Sequence, residues 1–356
     1  MPVNIADGRV IEEGIVRITE QDAERLSRYL VRAGDIVYSR RGDVTRCALI
    51  TDSEDGWLCG TGCLRARPDL AKVEPRFLLA HLSSPPTRAW IRGMAVGTSM
   101  PNLNTQILGS VPLVVPPLAE QRRIAGLLGA LAHKIDHLGG IGERAEHLMT
   151  ALFERMVTET DWPSTTVSDC FTIVMGQSPK GSTYTSDREN ALPLVQGMGA
   201  FGQRFPETDV YTTAPTKRAQ PGDVLLTVRA PVGEVNIVRE ELCAGRGVAA
   251  IRSEHPAYAE QVMRSLRSSW AAQESGTIFP AVNGKQIAQM LVFKPSASRV
   301  EEYEASARPL YDLAHLVEQQ ASRLRALRDE LLPKLISGKL RVADDYLAEA
   351  APVTVG

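Results

Sequence analysis

The stretch GTSMPNLNTQILGSVPLVVPP, residues 97–117, decides the fold because a related stretch follows it later in the same chain. The second stretch, GTIFPAVNGKQIAQMLVFKPS, spans residues 276–296, at an offset of 179 positions (276 − 97). Further upstream, GDIVYSRRGDVTRCALI from Gly34 matches GDVLLTVRAPVGEVNIV from Gly222. The sequence therefore predicts an internal tandem duplication with a pseudo-two-fold layout. Proteins built in this way typically bind a target that itself has two halves.

Each copy leads into a long, charged segment whose apolar residues recur at heptad spacing, which predicts two paired helices. Pro116 and Pro117 mark the start of the first helix, since proline is tolerated in a first helical turn. Gly139, Gly140 and Gly142 predict a kink or a break in it. We expect the helices to pack antiparallel as a coiled coil through Ile124, Leu128, Leu131, Ile135 and Leu138 of the first helix and Leu310, Leu313, Val317, Leu324 and Leu327 of the second.

Between the helical segments, short β runs separated by Pro/Gly turns predict mixed modules, and hence an α+β fold. We divide the chain into a first module (1–116), a central helix (117–158), a second module (159–296), a distal helix (297–340) and a C-terminal tail (341–356). In the first module a single helix is predicted from Pro75 to Trp90. This module is the shorter one, because only 33 residues precede Gly34, whereas about 60 separate Trp162 from Gly222. We therefore expect the front part of this module to be missing.

The bulk composition restricts the class of protein. A chain of 356 residues that is 44% hydrophobic is long enough for two or three domains. Its net charge of −2 excludes a generally basic nucleic-acid coat protein, although local basic surfaces remain compatible with it. The five scattered cysteines favour free thiols in a reducing cytosol. The sequence shows neither a secretory signal nor a run of ~20 apolar residues, so a cytoplasmic location is expected.

The sequence contains no motif that predicts catalysis. The GxGxxG pattern from Gly197 to Gly202 precedes no helix, so it indicates a turn and not a dinucleotide site. Cys59 and Cys63 could form half a zinc site, and His133 with His137 could share a metal ion. Because further ligands at suitable spacing are missing, buried thiols and exposed histidines are the favoured interpretations. We expect neither catalytic nor metal-binding residues.

The remaining polar features suit a nucleic-acid surface. An arginine ends the same strand in both copies, and both Gly-Thr loops present hydroxyl and amide groups that can contact phosphates or bases. The asparagines of these loops could equally cap their own backbone. The predicted DNA-binding residues are Arg40, Arg41, Thr98, Asn104, Lys180, Tyr184, Gln203, Arg204, Arg229, Thr277, Asn283 and Lys285.

The string PPLAEQRRIAGLLGALAHKID, residues 116–136, together with the two GD-initiated stretches and LRDELLPKLISGKLRV (327–342), resembles the specificity (S) subunit of type I restriction–modification systems. The resemblance covers nearly the whole chain. It implies a non-enzymatic subunit that carries two target-recognition domains on two antiparallel helices, each domain reading one half of a split double-stranded DNA sequence. It also implies that the helices dock two methylation subunits, which would bind S-adenosylmethionine, and that restriction motor subunits can join.

One departure from the family pattern is the absence, in the first recognition domain, of a segment like Trp162 to Val210. A misplaced start, a separate small polypeptide that supplies the segment, or decay of the first domain would each account for it. Two other classes of function stay open. One is a methyltransferase or a fused restriction–methylation enzyme, and the other is a coiled-coil scaffold whose modules bind protein. The DNA sequence and the spacer cannot be read from the chain, because base readout depends on how loops place their side chains.

Overall fold

The computed structural model describes residues 1–6, 8–95, 102–158, 162–267, 269–270 and 281–343. The chain divides into two compact units. The first unit comprises Met1–His137 and Ala321–Gly356, and the second comprises Leu138–Gln320. Each of the two long helices therefore contributes one half to each unit.

Nine labelled helices, two of them long, lie in the described part of the chain. They are α1 (Glu20–Arg25), α2 (Pro75–Ser83), α3 (Pro85–Met94), α4 (Thr105–Gly109), α5 (Leu118–Thr158), α6 (Val167–Cys170), α7 (Pro256–Ser265), α8 (Gly284–Ala288) and α9 (Ala297–Ile336). None of the described helices is long and apolar enough to cross a membrane. The mixture of sheets and helices confirms the predicted α+β class.

The first unit contains a three-stranded antiparallel sheet in the order β4-β3-β5 and a small hairpin, β1-β2. The side chains of Ile36 and Tyr38 on β3 are fully buried against α2, α3 and α4, which form the rest of its core. The strands are β1 (Ile5–Ala6), β2 (Arg9–Val10), β3 (Ile36–Ser39), β4 (Cys47–Leu49) and β5 (Cys63–Ala66).

The second unit contains a four-stranded sheet in the order β13-β12-β15-β7, a five-stranded sheet in the order β11-β14-β9-β10-β8 and the pair β16-β6. Its core joins the four-stranded sheet, α7 and the long helices around the fully buried Trp270. The strands are β6 (Ser164–Thr166), β7 (Thr172–Met175), β8 (Tyr184–Thr185), β9 (Leu192–Val195), β10 (Tyr211–Thr212), β11 (Arg218–Ala219), β12 (Val224–Thr227), β13 (Val235–Ile237), β14 (Leu242–Ala244), β15 (Val248–Arg252) and β16 (Leu291–Phe293).

The same local arrangement occurs in both units. In the first, Asp35 precedes β3 and accepts hydrogen bonds from Arg67 just after β5, the shortest at 2.6 Å. In the second, Asp223 precedes β12 and accepts hydrogen bonds from Arg252 at the end of β15, the shortest at 2.7 Å. In each unit the glycine before the aspartate, Gly34 or Gly222, has a φ near +90°, which favours glycine.

The start of α5 is fixed by Gln121, whose side chain is fully buried. Its amide nitrogen donates hydrogen bonds to the carbonyl oxygens of Lys72 (2.9 Å) and Pro116 (2.8 Å). Its amide oxygen accepts from the backbone N–H of Glu74, 2.9 Å away, immediately before α2. Through these three hydrogen bonds, the glutamine of the LAEQRR sequence joins the first turn of α5 to the start of α2.

The helix halves pack together within each unit. In the first unit, Ile124 and Leu128 of α5 share a buried cluster with Leu332 and Leu335 of α9. In the second unit, the rings of Phe153 and Tyr303 lie 5.9 Å apart. There too, a Cβ built on Gly142 would lie 3.3 Å from Val317. Because contacts run from 142–317 to 153–303, the two halves in the second unit are antiparallel.

Three sequence predictions are corrected here. The expected break at the glycines of α5 is absent, since this helix runs through them from Leu118 to Thr158 and the small Gly142 allows Val317 to approach closely. The single helix predicted from Pro75 is two helices, because the residue before a proline disfavours the helical conformation and Ser84 before Pro85 is extended.

The buried face of α9 also differs from the predicted one. Of the residues predicted to face the partner helix, Val317 is buried, but Leu313 and Leu327 are 38% and 43% exposed. Smaller residues take the buried positions, among them Ala307, Ala314 and Ala321, together with Tyr311. Heptad counting favoured the leucines because they are more hydrophobic than alanine, whereas close helix packing favours small side chains. The predicted residues of α5 are mostly buried, namely Ile124, Leu128, Ile135 and Leu138, and Leu131 is half-buried. On α9, Leu310 and Leu324 are half-buried as well.

Candidate nucleic-acid interface

In each unit an arginine at a strand end meets the far end of the Gly-Thr loop. After β12, Arg229 forms an antiparallel bridge with Ala281, and the N–H of Val282 donates to the Val228 carbonyl at 3.0 Å. After β3, Arg41 forms the matching bridge with Asn102, and the N–H of Leu103 donates to the Arg40 carbonyl at 2.9 Å. Arg41 and Arg229 are exposed, and Arg40 is half-buried. The two predicted loop threonines, Thr98 and Thr277, lie outside the described residues.

The predicted asparagines cap the helices that follow these loops. The side-chain oxygen of Asn104 accepts from the N–H of Ile107 at 2.8 Å. The oxygen of Asn283 accepts from the N–H of Gln286 at 3.0 Å, and the Gln286 side chain accepts from the N–H of Asn283 in return. Each capping bond satisfies a helix N–H that has no partner within the helix. The side chains themselves remain exposed, as does Lys285 in the first turn of α8.

In the second unit, further polar residues extend this junction. The carbonyl of Gly247 accepts from the N–H of Val228, so Arg246 lies next to the strand end that carries Arg229. The N–H of Arg246 donates to the hydroxyl of Ser178 at 3.2 Å, and that hydroxyl donates to the amide oxygen of Gln196 at 3.1 Å. The hydroxyl of Tyr184 lies 3.4 Å from the same oxygen. We call Lys180, Tyr184, Gln196, Arg229, Arg246 and Lys285 the basic strip of the second unit.

Two members of the basic strip, Gln196 and Arg246, were missed by the sequence analysis. Arg246 stands between Gly245 and Gly247, and a Cβ on Gly247 would lie 2.0 Å from the Gln196 carbonyl oxygen. Only glycine permits that approach. An arginine between two glycines near a strand end was the available signal, but nothing in one sequence connects it to Gln196. Lys180, Arg229, Arg246 and Lys285 give the strip four exposed cations, which suits contact with phosphates.

Two predicted residues, Gln203 and Arg204, belong to a different part of the second unit. Gln203 is exposed, but Arg204 is only 2% exposed. The guanidinium of Arg204 donates two hydrogen bonds to Glu260 on α7, at 3.0 and 2.8 Å, and one to Glu146 on α5. Because its donors are taken up inside the fold, Arg204 is a structural residue, and we remove it from the predicted DNA contacts.

The electrostatics of this buried cluster are strongly coupled. Burial alone would raise the pKa of Glu260, but the positive charges of Arg204 and Arg264 outweigh it and hold that pKa below its usual value. Burial and the charge of Arg204 together lower the pKa of His315 on α9 to about 4, so its imidazole is neutral at physiological pH. The Arg204 guanidinium also lies 5.3 Å from the ring centre of Tyr311. The cluster joins a loop of the module, α7 and both long helices through one arginine.

The metal-binding alternatives receive no support from the described side chains, among which no three His, Cys, Asp or Glu residues converge as ligands. Cys47 is buried, and its sulfur lies 3.6 Å from the hydroxyl of Ser83. Burial raises the pKa of Cys59 to about 11, which keeps this thiol protonated. His133 and His137 are exposed on α5.

An open groove of about 1050 Å³ lies elsewhere in the second unit, lined by residues of β15, α6 and α9. Arg252, Arg308 and His255 face it together with Asp223 and Asp312. None of the predicted DNA-binding residues lines it, and its mixed charge does not indicate one class of ligand.

Residues 5–147 match the family model described as the type I restriction modification DNA specificity domain. The putative type I restriction enzyme MjaX specificity subunit of Methanocaldococcus jannaschii is 26% identical in an alignment of 370 positions that covers 95% of this chain and 86% of that protein. Over nearly its whole length, the chain is similar to specificity subunits of type I restriction–modification systems. The matched region includes the Arg40–Arg41 junction and the start of α5 with Gln121, so the resemblance seen in the LAEQRR sequence is confirmed.

Solved structures of the family are also similar. The S subunit of a type I restriction–modification system from M. genitalium is 15% identical, with a TM-score of 0.55 over 87% of this chain and 84% of that one. This similarity supports the fold. The HsdS subunit of Thermoanaerobacter tengcongensis is 26% identical, and the superposition covers 95% of this chain and 89% of that subunit with a TM-score of 0.39.

Proposed function

We propose that this specificity subunit recognises a split double-stranded DNA sequence, with residues 1–116 reading one half and residues 159–296 the other. The helices α5 and α9 pair as an antiparallel coiled coil that spaces the two domains and docks two methylation subunits, and restriction subunits join that complex. The subunit itself is non-catalytic, and S-adenosylmethionine is bound by the methylation subunit. A further small polypeptide completes the first recognition domain.

The observation that carries this proposal is the junction between a strand-end arginine and the end of a Gly-Thr loop, which occurs once in each unit. Two equal contacts in one chain suit a DNA target with two halves, because each half then meets the same arrangement of groups. The shared Asp35–Arg67 and Asp223–Arg252 pairs support a duplication as its origin. The proposed contacts are Arg40, Arg41, Asn104, Asn283 and the basic strip, and the predictions for Thr98, Gln203 and Thr277 stand beside them.

The exposed leucines of α9 support the docking of partner subunits. Leu313 and Leu316 in the second unit and Leu327 in the first are between 38% and 51% exposed, although each lies on a long, well-packed helix. An apolar residue on the outer face of such a helix gains free energy when another protein covers it. We therefore assign the docking of methylation subunits to this outer face.

Replacing Arg229 with alanine is expected to weaken DNA binding by the purified subunit. If Arg229 contacts a phosphate, affinity should fall for all sequences, and the slope of log K against log salt concentration should decrease in magnitude by about 1. If it contacts a base, discrimination at one position should fall by about 1–3 kcal/mol. Fluorescence anisotropy with labelled duplexes at several salt concentrations measures both quantities.

Arg239→Ala provides the control for this prediction. Arg239 is an exposed arginine that follows β13, at the opposite end of the β12–β13 hairpin from Arg229. Its replacement removes the same charge from the second unit and should leave the salt slope unchanged. Equal effects of the two substitutions would show that only the overall charge matters. Absence of any salt-dependent DNA binding by the unmodified subunit would favour the protein-binding scaffold.

Methyl transfer tests the enzymatic alternative. The purified subunit, incubated with radiolabelled S-adenosylmethionine and duplex DNA, is expected to transfer no methyl groups. Addition of the methylation subunit from the same system should start transfer, at a split motif whose two halves are a fixed distance apart. Methyl transfer by the specificity subunit alone would establish the enzyme instead, and transfer to a continuous motif would contradict the reading of two halves.

A further inference from the structure

We propose that the first unit has a docking site for a strand–helical turn–strand segment of a second polypeptide, of the type that residues 164–175 form in the second unit. The proposal rests on the small-polypeptide partner of the proposed function and identifies the surface that this partner covers.

The first part of the site is the outer edge of β5. In the second unit, β15 is paired on both sides, with β12 and with β7. In the first unit, β5 pairs with β3, and in the described part of the chain no strand pairs with its other edge. The two strands correspond, since Ser39 pairs with Cys63 as Thr227 pairs with Val248. A free edge of this kind presents backbone N–H and C=O groups to another strand.

Burial supports the same comparison. Val248 and Ala250 on β15 are fully buried in a cluster formed mainly with residues of the five-stranded sheet, and Val174 of β7 packs against that cluster. Their counterparts on β5, Cys63 and Arg65, are only half-buried. Part of this difference comes from Val174 of β7, since in the described part of the first unit no strand lies beside the outer edge of β5.

The second part of the site is the stretch 112–114, which precedes α5. In the second unit, the equivalent residues form β16 and pair with β6, and the central residue Val292 is 7% exposed. In the first unit, residues 112–114 belong to no strand among those described, and the central residue Leu113 is 40% exposed. The described part of the first unit therefore lacks a pairing strand at two separate places. In the second unit, both pairing strands belong to one short segment.

The second unit shows which segment covers both places at once. There β6 pairs with β16 through Thr165 and Val292, and β7 pairs with β15 through Val174 and Ala250. Between the two strands, the helical turn α6 buries Val167 completely and is followed by Phe171, which is 6% exposed. The occupant of the first unit must therefore carry two short strands separated by one helical turn with apolar residues at its ends. A second copy of this chain already uses its own segment internally, which favours a separate polypeptide.

A synthetic peptide of residues 162–177 of this chain, with serine in place of Cys170, serves as the probe. Its labelled form is expected to bind the full-length subunit saturably in fluorescence anisotropy. Hydrogen exchange of the complex should show new protection at residues 63–66 and 112–115, with residues 248–252 unchanged. The experiment contains neither DNA nor a methylation subunit, so its failure would count against the small-polypeptide partner alone and would leave the proposed recognition of DNA and docking of methylation subunits untouched.

Two N-methylated peptides provide a matched control that leaves the protein unaltered. Because the N–H of Gly176 donates to the Val248 carbonyl, alternation along an antiparallel pair directs the N–H of Val174 toward β15 and that of Ile173 away from it. N-methylation at Val174 is expected to weaken binding at least tenfold. The same methyl group at Ile173 should have little effect.

Several outcomes would overturn the proposal. The first is that the peptide does not bind saturably, and the second is that both methylated peptides lose the same amount of affinity. The third is protection confined to residues 248–252, which would indicate that the peptide exchanges with β7 of the second unit. Concentration-dependent self-association of the subunit that the peptide fails to reverse would assign the surface to a second copy instead.

Discussion

Replacing Arg204 with alanine is expected to lower the free energy of unfolding of the second unit by about 3–5 kcal/mol, because removal of one partner leaves a buried charge without compensation. Glu260 is fully buried and would keep only its 2.9 Å hydrogen bond from Arg264. Glu146 on α5 would keep only its longer ion pair with Arg264, at 3.9 Å. Hydrogen exchange of the α7 amides at increasing urea concentrations reports the stability of this part of the unit.

The matched substitution is Arg246→Ala, which removes an exposed arginine from the same unit. Exposed positions away from special features usually change stability by less than about 0.5 kcal/mol. If the two variants lose equal stability, the buried cluster contributes nothing beyond the loss of one side chain, and its assigned role in joining the module to both long helices is wrong.

Replacing Gly233 with alanine is expected to destabilise the second unit by about 2–5 kcal/mol, through two separate costs. The backbone of Gly233 has a φ of +88°, which costs an L-residue roughly 1–2 kcal/mol. A Cβ at this position would also lie 2.3 Å from Cδ1 of Trp270, a fully buried side chain that cannot move away freely. Such overpacking typically adds about 1–3 kcal/mol.

Gly222→Ala separates these two costs. Gly222 has nearly the same φ, +90°, but its nearest atom to a new Cβ is Pro256 Cβ at 4.0 Å. We expect only the conformational cost of about 1–2 kcal/mol there. Hydrogen exchange of the α7 amides at increasing urea concentrations measures the stability of the second unit in both variants. An equal loss of stability in the two would show that the tryptophan adapts to the extra methyl group.

Much of the fold follows from local sequence patterns. The two GD-initiated strands and the long helices that follow Asn104 and Asn283 lie where the repeat predicts them. The buried face of α9 did not follow, because its alanines carry too little hydrophobicity to mark a heptad position. The uninterrupted course of α5 through three glycines did not follow either, because helix propensity is a weak guide for a helix that packs against a partner, as Gly142 does against Val317.

The candidate site was predictable only in part, because its residues meet through backbone contacts between distant segments. Arg229 and Arg41 were found since they recur at one position of the repeat. Arg246 has no such counterpart, and it joins the basic strip through a contact with Ser178 that lies 68 positions away in sequence. Arg204 resembles any loop arginine in the sequence, and only its contacts with Glu146 and Glu260 show that it is buried.

The capping role of Asn104 and Asn283 restricts which base edges these side chains can recognise. Each side-chain oxygen already accepts a backbone N–H with one of its two lone pairs, which fixes the orientation of the amide plane. Asparagine usually distinguishes adenine by donating to N7 while accepting from the N6 amino group. An asparagine held as a cap can therefore make that paired contact only with an adenine whose edge lies in the plane that the start of the helix dictates.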